Sequence, residues 1–182
     1  MPTEVDYRQR IAGYTSPQLL DLWGQIQRGD TPGWDDGKAL EYLVLRAFEV
    51  EGAVVTYPFT VQMGGEIVEQ IDGAVYTDGL SCLVECKDHE NNIAIDAVAK
   101  LRHQLLRRPA GIIGLVFSST NFTRSTIILA QYSASQAILL WDREDLDYAL
   151  IHQQMRIGLV TKYRYCAERG LPNYSLQIGD LS

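Results

Sequence analysis

Residues 69–87 read Glu-Gln-Ile-Asp-Gly-Ala-Val-Tyr-Thr-Asp-Gly-Leu-Ser-Cys-Leu-Val-Glu-Cys-Lys, which is two alternating apolar runs joined by Asp78-Gly79. Asp-Gly between such runs predicts a two-residue type I′ turn, because both turn residues must tolerate a positive φ. The turn also sets the strand register, which places Asp72 directly opposite Glu85. The stretch therefore predicts a β-hairpin with two facing carboxylates.

Side chains alternate between the two faces of a strand, so the hairpin has a polar face and an apolar face. The polar face is predicted to carry Gln70, Asp72, Ala74, Leu83, Glu85 and Lys87, and the apolar face Cys82, Val84 and Cys86. Facing carboxylates repel each other, so we expect a cation between them. A divalent metal with a lysine beside it is a hydrolytic arrangement. A solvated face of an edge hairpin is the alternative.

The order of Asp72 and Glu85-Cys86-Lys87 resembles the D…(D/E)xK signature of the PD-(D/E)XK nuclease superfamily, with Ile71 where the name has proline. Four further segments are similar to its Mrr-like restriction endonuclease branch: Gly37-Lys-Ala-Leu-Glu41, Phe117-Ser-Ser-Thr-Asn-Phe-Thr123, Ile138-Leu-Leu-Trp-Asp142 and Leu146. The resemblance covers about residues 37 to 150. The triad alone is a weak motif, but its position on an Asp-Gly hairpin between predicted helices makes it more specific.

The resemblance implies a metal-dependent deoxyribonuclease with Glu41, Asp72, Glu85 and Lys87 as its catalytic residues. Asp72 and Glu85 would hold Mg²⁺, with Mn²⁺ as an alternative, together with the backbone carbonyl of Cys86. Glu41 would complete the metal shell directly or through water, and Lys87 would orient the attacking water and help to deprotonate it. Two alternatives remain: a catalytically silent nuclease fold that acts as a binding or assembly module, and a nuclease for RNA or branched DNA.

Glu41 also has a simpler interpretation. A helix is predicted from Asp35 or Asp36 to about Glu51, and Glu41 lies at the border of its apolar face. An acid near a helix N-terminus is favoured by the helix dipole without any metal. Both roles stay open for this residue.

Basic and polar residues mark the expected DNA surface. An amphipathic helix predicted around Ile95 to Leu105 leads into the densest basic cluster of the chain, and we expect DNA contacts from Lys100, Gln104, Arg107 and Arg108. Ser119 follows a predicted buried strand, where hydroxyls and free backbone N–H groups can cradle a phosphate. A solvated helix face and simple helix capping are the respective alternatives.

The composition is that of an ordinary globular domain, with 182 residues, of which 46% are hydrophobic and 21% charged. A net charge of −7 predicts weak DNA binding by the isolated chain, or help from a separate recognition partner. The three cysteines form no CxxC pair, which argues against a zinc ribbon or a disulfide framework and favours a reducing cytoplasm. No apolar run approaches the length needed to cross a bilayer, so we expect no membrane contact.

We expect a single α/β domain with a restriction-endonuclease-like mixed sheet flanked by helices and an extra N-terminal helix. Its parts would be an N-terminal helical extension (1–34), a nuclease core (35–150) and a C-terminal helix and tail (151–182). Ser16 is predicted to cap the first helix, a last strand to start at Gln136, and one long helix to run from Asp142 to about Arg169. Packing on the core is favoured for the extension over a DNA-docking or dimer arm. A homodimer is plausible because one site cuts one strand.

Overall fold

A computed structural model describes residues 2–132 and 137–177, and within these ranges the chain forms seven helices and seven strands. The helices are α1 (Glu4–Ala12), α2 (Ser16–Gln27), α3 (Lys38–Val50), α4 (Asp96–Leu105), α5 (Arg124–Tyr132), α6 (Arg143–His152) and α7 (Met155–Arg169). The strands are β1 (Val54–Thr56), β2 (Phe59–Met63), β3 (Glu66–Ile71), β4 (Gly73–Thr77), β5 (Leu80–Lys87), β6 (Ile112–Ser118) and β7 (Ile138–Trp141).

The main sheet has five strands in the order β1-β4-β5-β6-β7. Strands β1, β4 and β5 pair antiparallel, whereas β5, β6 and β7 pair parallel, because α4 and α5 supply the crossovers between them. Strands β2 and β3 form a separate two-stranded sheet. The predicted mixed α/β fold is confirmed.

The main sheet lies between two helical layers. Helices α1, α2, α3, α6 and α7 bury their apolar residues against one face, and α4 and α5 against the other. The alternation predicted for β5 is present, since Cys82, Val84 and Cys86 join the first core and Leu83 joins the second. No helix within residues 2–132 and 137–177 is both long and apolar enough to span a membrane.

The N-terminal extension contains two helices where one was predicted. Helix α1 begins with a capping box in which Thr3 and Asp6 satisfy each other's backbone amides, and its Tyr7 ring stacks on Trp34 with centroids 5.2 Å apart. Helix α2 is capped by Thr15 rather than Ser16, because the Thr15 amide donates to the Gln18 side chain at 2.9 Å. Both corrections arise from capping partners three residues along the chain.

The central hairpin has the predicted turn and register over most of its length. Asp78 and Gly79 have φ values of 51° and 78°, and the β4–β5 ladder runs to the pair Gly73 and Val84. The predicted direct pairing of Asp72 with Glu85 is wrong, because the ladder ends one pair earlier. Gln70 likewise belongs to β3, which pairs with β2.

The chain also changes course at Pro58 and at Gln153. Pro58 separates β1 in the main sheet from β2 in the small one. The prediction of one long helix from Asp142 to Arg169 is wrong. Helix α6 ends at His152, Gln153 adopts a left-handed conformation with φ 54°, and a second helix, α7, begins at Met155. Gln136 and residues 178–182 of the predicted tail lie outside the described residues.

Candidate active site

Asp72 occupies the junction where the chain leaves the small sheet and enters the main one. A Cβ atom at Gly73 would lie 2.7 Å from both Leu45 methyl carbons and 3.0 Å from the Thr56 carbonyl oxygen, so a larger residue here would have to displace the Leu45 side chain of α3. The chain turns at this point, and Asp72 Oδ2 accepts a hydrogen bond of 2.8 Å from the Cys86 amide. Asp72 is thus held beside the end of β5 by a backbone contact.

Glu85 is fully buried and lies between two lysines. Its Oε1 is 2.8 Å from Lys87 Nζ, and its Oε2 is 2.6 Å from Lys100 Nζ. Lys100 Nζ also lies 3.9 Å from Asp72 Oδ1. The cation expected beside Asp72 and Glu85 is therefore supplied in this structure by α4.

Lys87 keeps its positive charge in this setting. Burial opposes the charge, but the close ion pair with Glu85, with a further contribution from the charge of Asp72, outweighs burial and raises the pKa of Lys87. Burial also raises the pKa of Asp72, and the negative charge of Glu85 adds to this effect. The cleft thus favours added positive charge near its two carboxylates.

Glu41 lines the same cleft from the first turn of α3. Lys38 Nζ lies 2.8 Å from Glu41 Oε2. Burial, followed by the charge of Asp72, raises the pKa of Glu41 to about 7. Asp72 and Glu41 are therefore close enough for their charges to interact. The helix dipole alone would not raise the pKa of Glu41, because a helix N-terminus favours the ionised carboxylate.

The site residues surround an open cleft of about 860 Å³. Its acidic lining consists of Asp36, Glu41, Asp72, Glu85, Asp88 and Glu90, and its cationic side chains are Arg28, Lys87, Lys100 and Arg143. Ser119, one of the predicted DNA contacts, also lies here, where its hydroxyl donates to Asp88 Oδ1 at 2.6 Å. The cleft thus contains Glu41, Asp72, Glu85, Lys87 and Ser119.

The predicted basic cluster divides into two groups. Lys100 faces the cleft, whereas the Gln104 amide is buried and donates to the Gln70 carbonyl at 3.0 Å. Arg107 and Arg108 both form ion pairs with the buried Glu69, the latter at 2.5 Å. Contacts of these residues with DNA stay a prediction, but both arginines already have an internal partner.

Sequence reasoning missed Arg28 and Arg143. Arg28 follows the last turn of α2, in the N-terminal extension, for which packing on the core was favoured over a DNA-docking or dimer arm. Arg143 lies two residues after the end of β7, and the carboxyl ends of parallel strands meet at one sheet edge, where ligands commonly bind. That rule could have grouped Arg143 with Ser119, while nothing local indicated Arg28.

The residues of the cleft fit a magnesium-like ion. Within the described ranges, no three Asp, Glu, His or Cys side chains converge as a closed metal cage. Mg²⁺ does not need one, because it usually binds one or two carboxylates and keeps several waters. Glu85 Oε1 is buried and has no hydrogen-bond donor in proper geometry among the described residues, although Lys87 lies close by. This oxygen could accept a cation.

The sequence comparison identifies the family. A family model of the Mrr catalytic type, described as a restriction endonuclease, matches residues 35–150, which is more than half of the chain. The chain therefore belongs to this family of restriction endonucleases, which confirms the resemblance noted from the sequence. No curated protein matches the chain at a significant level.

Three solved structures share parts of this arrangement at low identity. A protein of unknown function, AF1548, has 16% identity and a TM-score of 0.47 over 73% of this chain and 66% of its own. The small subunit (R.BspD6I2) of the heterodimeric restriction endonuclease R.BspD6I has 15% identity and a TM-score of 0.45, covering 81% and 98%. The MspJI restriction endonuclease, in complex with a 27-mer oligonucleotide, has 15% identity and a TM-score of 0.42, covering 96% and 40%.

Proposed function

We propose that this chain is a divalent-metal-dependent deoxyribonuclease that hydrolyses DNA phosphodiester bonds. One observation carries the proposal: Asp72, Glu85 and Lys87 line one open cleft, which Glu41 also lines from α3. Membership of the restriction endonuclease family supports DNA as the substrate. A reducing cytoplasm fits the free cysteines Cys82, Cys86 and Cys166.

The carboxylates of Asp72 and Glu85 would hold Mg²⁺ or Mn²⁺ together with the carbonyl of Cys86. The Cys86 thiol is not among the proposed ligands, because that side chain packs in the first apolar core. Glu41 would complete the set, directly or through water. When bound, such an ion supplies a Lewis acid for the phosphate and lowers the pKa of a coordinated water.

Lys87 would orient the attacking water and stabilise negative charge near the phosphate. Its side chain is only 22% exposed and is fixed by Glu85, so its position is set before the substrate arrives. Groups that act in this way contribute mainly to the transition state. Loss of Lys87 should therefore slow turnover much more than it weakens DNA binding.

A cleavage assay tests the proposal. The full chain would be incubated with supercoiled plasmid, linear duplex, single strands, a four-way junction or RNA, in Mg²⁺, Mn²⁺ or EDTA. We expect metal-dependent cleavage of DNA, lost in Asp72→Asn and slowed at least a hundredfold in Lys87→Ala, in the range typical of an acid–base group. Arg164→Ala is the matched control, because Arg164 pairs with Glu168 on α7 and does not line the cleft.

Three outcomes would overturn the proposal: no cleavage of any DNA, equal cleavage in EDTA, or unchanged turnover in both cleft variants. Cleavage of RNA alone would replace DNA as the substrate. A homodimer or a separate recognition partner would show as cleavage that rises more steeply than linearly with protein concentration or that requires an added protein.

A further inference from the structure

One rim of the cleft is built from the end of α2 and the beginning of α6. Gln27 Nε2 donates to the Ser119 carbonyl at 3.1 Å, and the Arg143 amide donates to the Thr120 carbonyl at 3.0 Å. Both helix ends are therefore fastened to the same two-residue segment that follows β6. Arg28, next to Gln27, and Arg143 consequently flank one part of the cleft.

The positive charges of these two arginines are largely unused inside the protein. Arg28 is exposed and forms no ion pair with any residue in the described ranges. Arg143 is 54% exposed, and its ion pair with Asp147 has a long separation of 3.9 Å. Lys87 and Lys100, by contrast, are held by Glu85. The positive charges at the rim are thus available to a ligand, whereas those at the centre of the cleft are already paired with Glu85.

Stability does not explain Arg143. It is the first residue of α6, where a positive charge opposes the helix dipole. Arg28 is placed at the end of α2, where a cation is favoured, so its position alone is less informative. The two share a cleft, and an anionic ligand bound there would account for both.

We infer that Arg28 and Arg143 form a clamp for a backbone phosphate of the DNA strand that enters the cleft. This inference rests on the proposed function. Guanidinium groups suit this task because their planar donors match phosphate oxygens in pairs. A DNA strand must also overcome a chain of net charge −7 and an acidic cleft, so unneutralised cations at the rim carry much of the attraction.

The clamp extends the DNA surface beyond the family region. Arg28 lies outside the matched residues 35–150, whereas Arg143 lies inside them. The N-terminal extension would therefore both pack on the core and bind substrate. It gives this chain a phosphate contact that the metal-binding residues do not provide.

A salt titration of DNA binding tests the clamp. A fluorescent 30-base-pair duplex would be titrated with the full chain in EDTA, where no metal is present, at several salt concentrations. We expect Arg28→Ala/Arg143→Ala to weaken binding about tenfold and to flatten the plot of log affinity against log salt by about 0.9, since the two arginines share one phosphate and each neutralised phosphate contributes about 0.9. Arg28→Lys/Arg143→Lys should keep most of the slope, because it keeps both charges.

Arg164→Ala is the matched control, because Arg143 and Arg164 are both exposed and each pairs with an acid four residues along its helix. Its salt slope should equal that of the native chain. An unchanged slope in the double alanine variant, with an unchanged melting temperature, would overturn the clamp. Native protein that binds no DNA would overturn both the clamp and the proposed function. A flattened slope in a chain that binds but never cleaves DNA would support the clamp while the nuclease proposal fails.

Discussion

Lys100 Nζ lies 2.6 Å from Glu85 Oε2 and 3.9 Å from Asp72 Oδ1, so α4 places a positive charge where a bound metal ion would also be attracted. An ammonium group and a metal ion beside the same two carboxylates repel each other, and Lys100 therefore competes with the ion. We expect Lys100→Met to bind Mn²⁺ or Mg²⁺ severalfold more tightly than the native chain. The same variant should melt at a lower temperature in EDTA, because Glu85 loses one of its two lysines.

Isothermal titration with each metal and thermal unfolding in EDTA would measure these two effects. Lys100→Arg is the control, because it retains the charge and should stay close to the native chain. Equal metal affinity in the methionine and native chains would show that Lys100 does not compete for the carboxylates. The prediction concerns binding, so it holds whether or not the loaded protein cleaves DNA.

Asp72 carries a charge that the metal-free fold does not favour. Its side chain is 15% exposed and lies near Glu85, and these two features raise its pKa. Asp72→Asn removes the charge and can still accept the hydrogen bond from the Cys86 amide. We expect the variant to melt about 2–4 °C higher in EDTA, which corresponds to about 1 kcal/mol for a chain of this size.

The gain should disappear when saturating Mn²⁺ is added, because only the native chain keeps both carboxylates for the ion. Thermal melts with and without metal would measure both effects. A lower melting temperature in EDTA would instead assign Asp72 a structural role through its contact with β5.

The hairpin was predictable because its determinants are local. The Asp78-Gly79 turn and the alternation along β5 are read from adjacent residues, and both appear in the structure. The exit of Asp72 from the ladder was not predictable, since it depends on the approach of Gly73 to Leu45, which only the folded chain brings together. Asp72 and Glu85 were predicted to face each other across one ladder. Instead, Asp72 lies in the break between β3 and β4, and both carboxylates line the cleft.

A long-range partner also explains why the predicted long C-terminal helix is divided. The Glu51 carboxylate accepts hydrogen bonds from the amides of Met155 and Arg156, at 2.8 and 2.9 Å, and so begins a new helix where no glycine or proline marks a break. Arg107 and Arg108 carried no sequence signal that Glu69 would bind them. Periodicity predicts which face of an element is buried, but not which distant side chain pairs with it.

A buried ion pair holds the C-terminal segment in place. Lys162 is fully buried and lies 2.6 Å from Asp145, and it also donates to the Leu140 and Tyr174 carbonyls at 2.8 and 2.6 Å. Burial lowers the pKa of Lys162 and raises the pKa of Asp145, so each charge depends on the other. We expect Asp145→Asn to lower the free energy of unfolding by about 3–5 kcal/mol, because an unpaired ammonium remains buried.

Urea unfolding of a double-mutant cycle would measure this dependence. Asp145→Asn/Lys162→Met should lose several kcal/mol less than the sum of the two single changes, since neither unpaired charge remains. Additive losses would mean that the two side chains stabilise the protein independently, through their separate backbone contacts.

Glu69 should make stability depend on pH. The hydrogen bond from Arg108 lowers the pKa of Glu69 most. Burial opposes this effect, but the hydrogen bond from Arg107 adds to it, so the pKa lies below the ordinary value of 4.5. The native chain therefore gains stability from this carboxylate above pH 4.5 and loses it as the pH falls through the lowered pKa. We expect Glu69→Gln to cost about 1.5–3 kcal/mol at pH 7, which is typical of hydrogen bonds to a charged group.

The difference between Glu69→Gln and the native chain should shrink as the pH falls below 4.5 and through the lowered pKa of Glu69, since the native carboxyl then becomes neutral as well. Urea unfolding at each pH would follow it. Glu66→Gln is the control, because Glu66 is an exposed acid on the same strand, β3. A difference in unfolding free energy that stayed constant with pH would show that Glu69 stabilises the two-stranded β2–β3 sheet by packing rather than by its charge. In that case the ion pairs of Arg107 and Arg108 with Glu69 would contribute little to stability, and both arginines could serve as the phosphate contacts expected from the sequence.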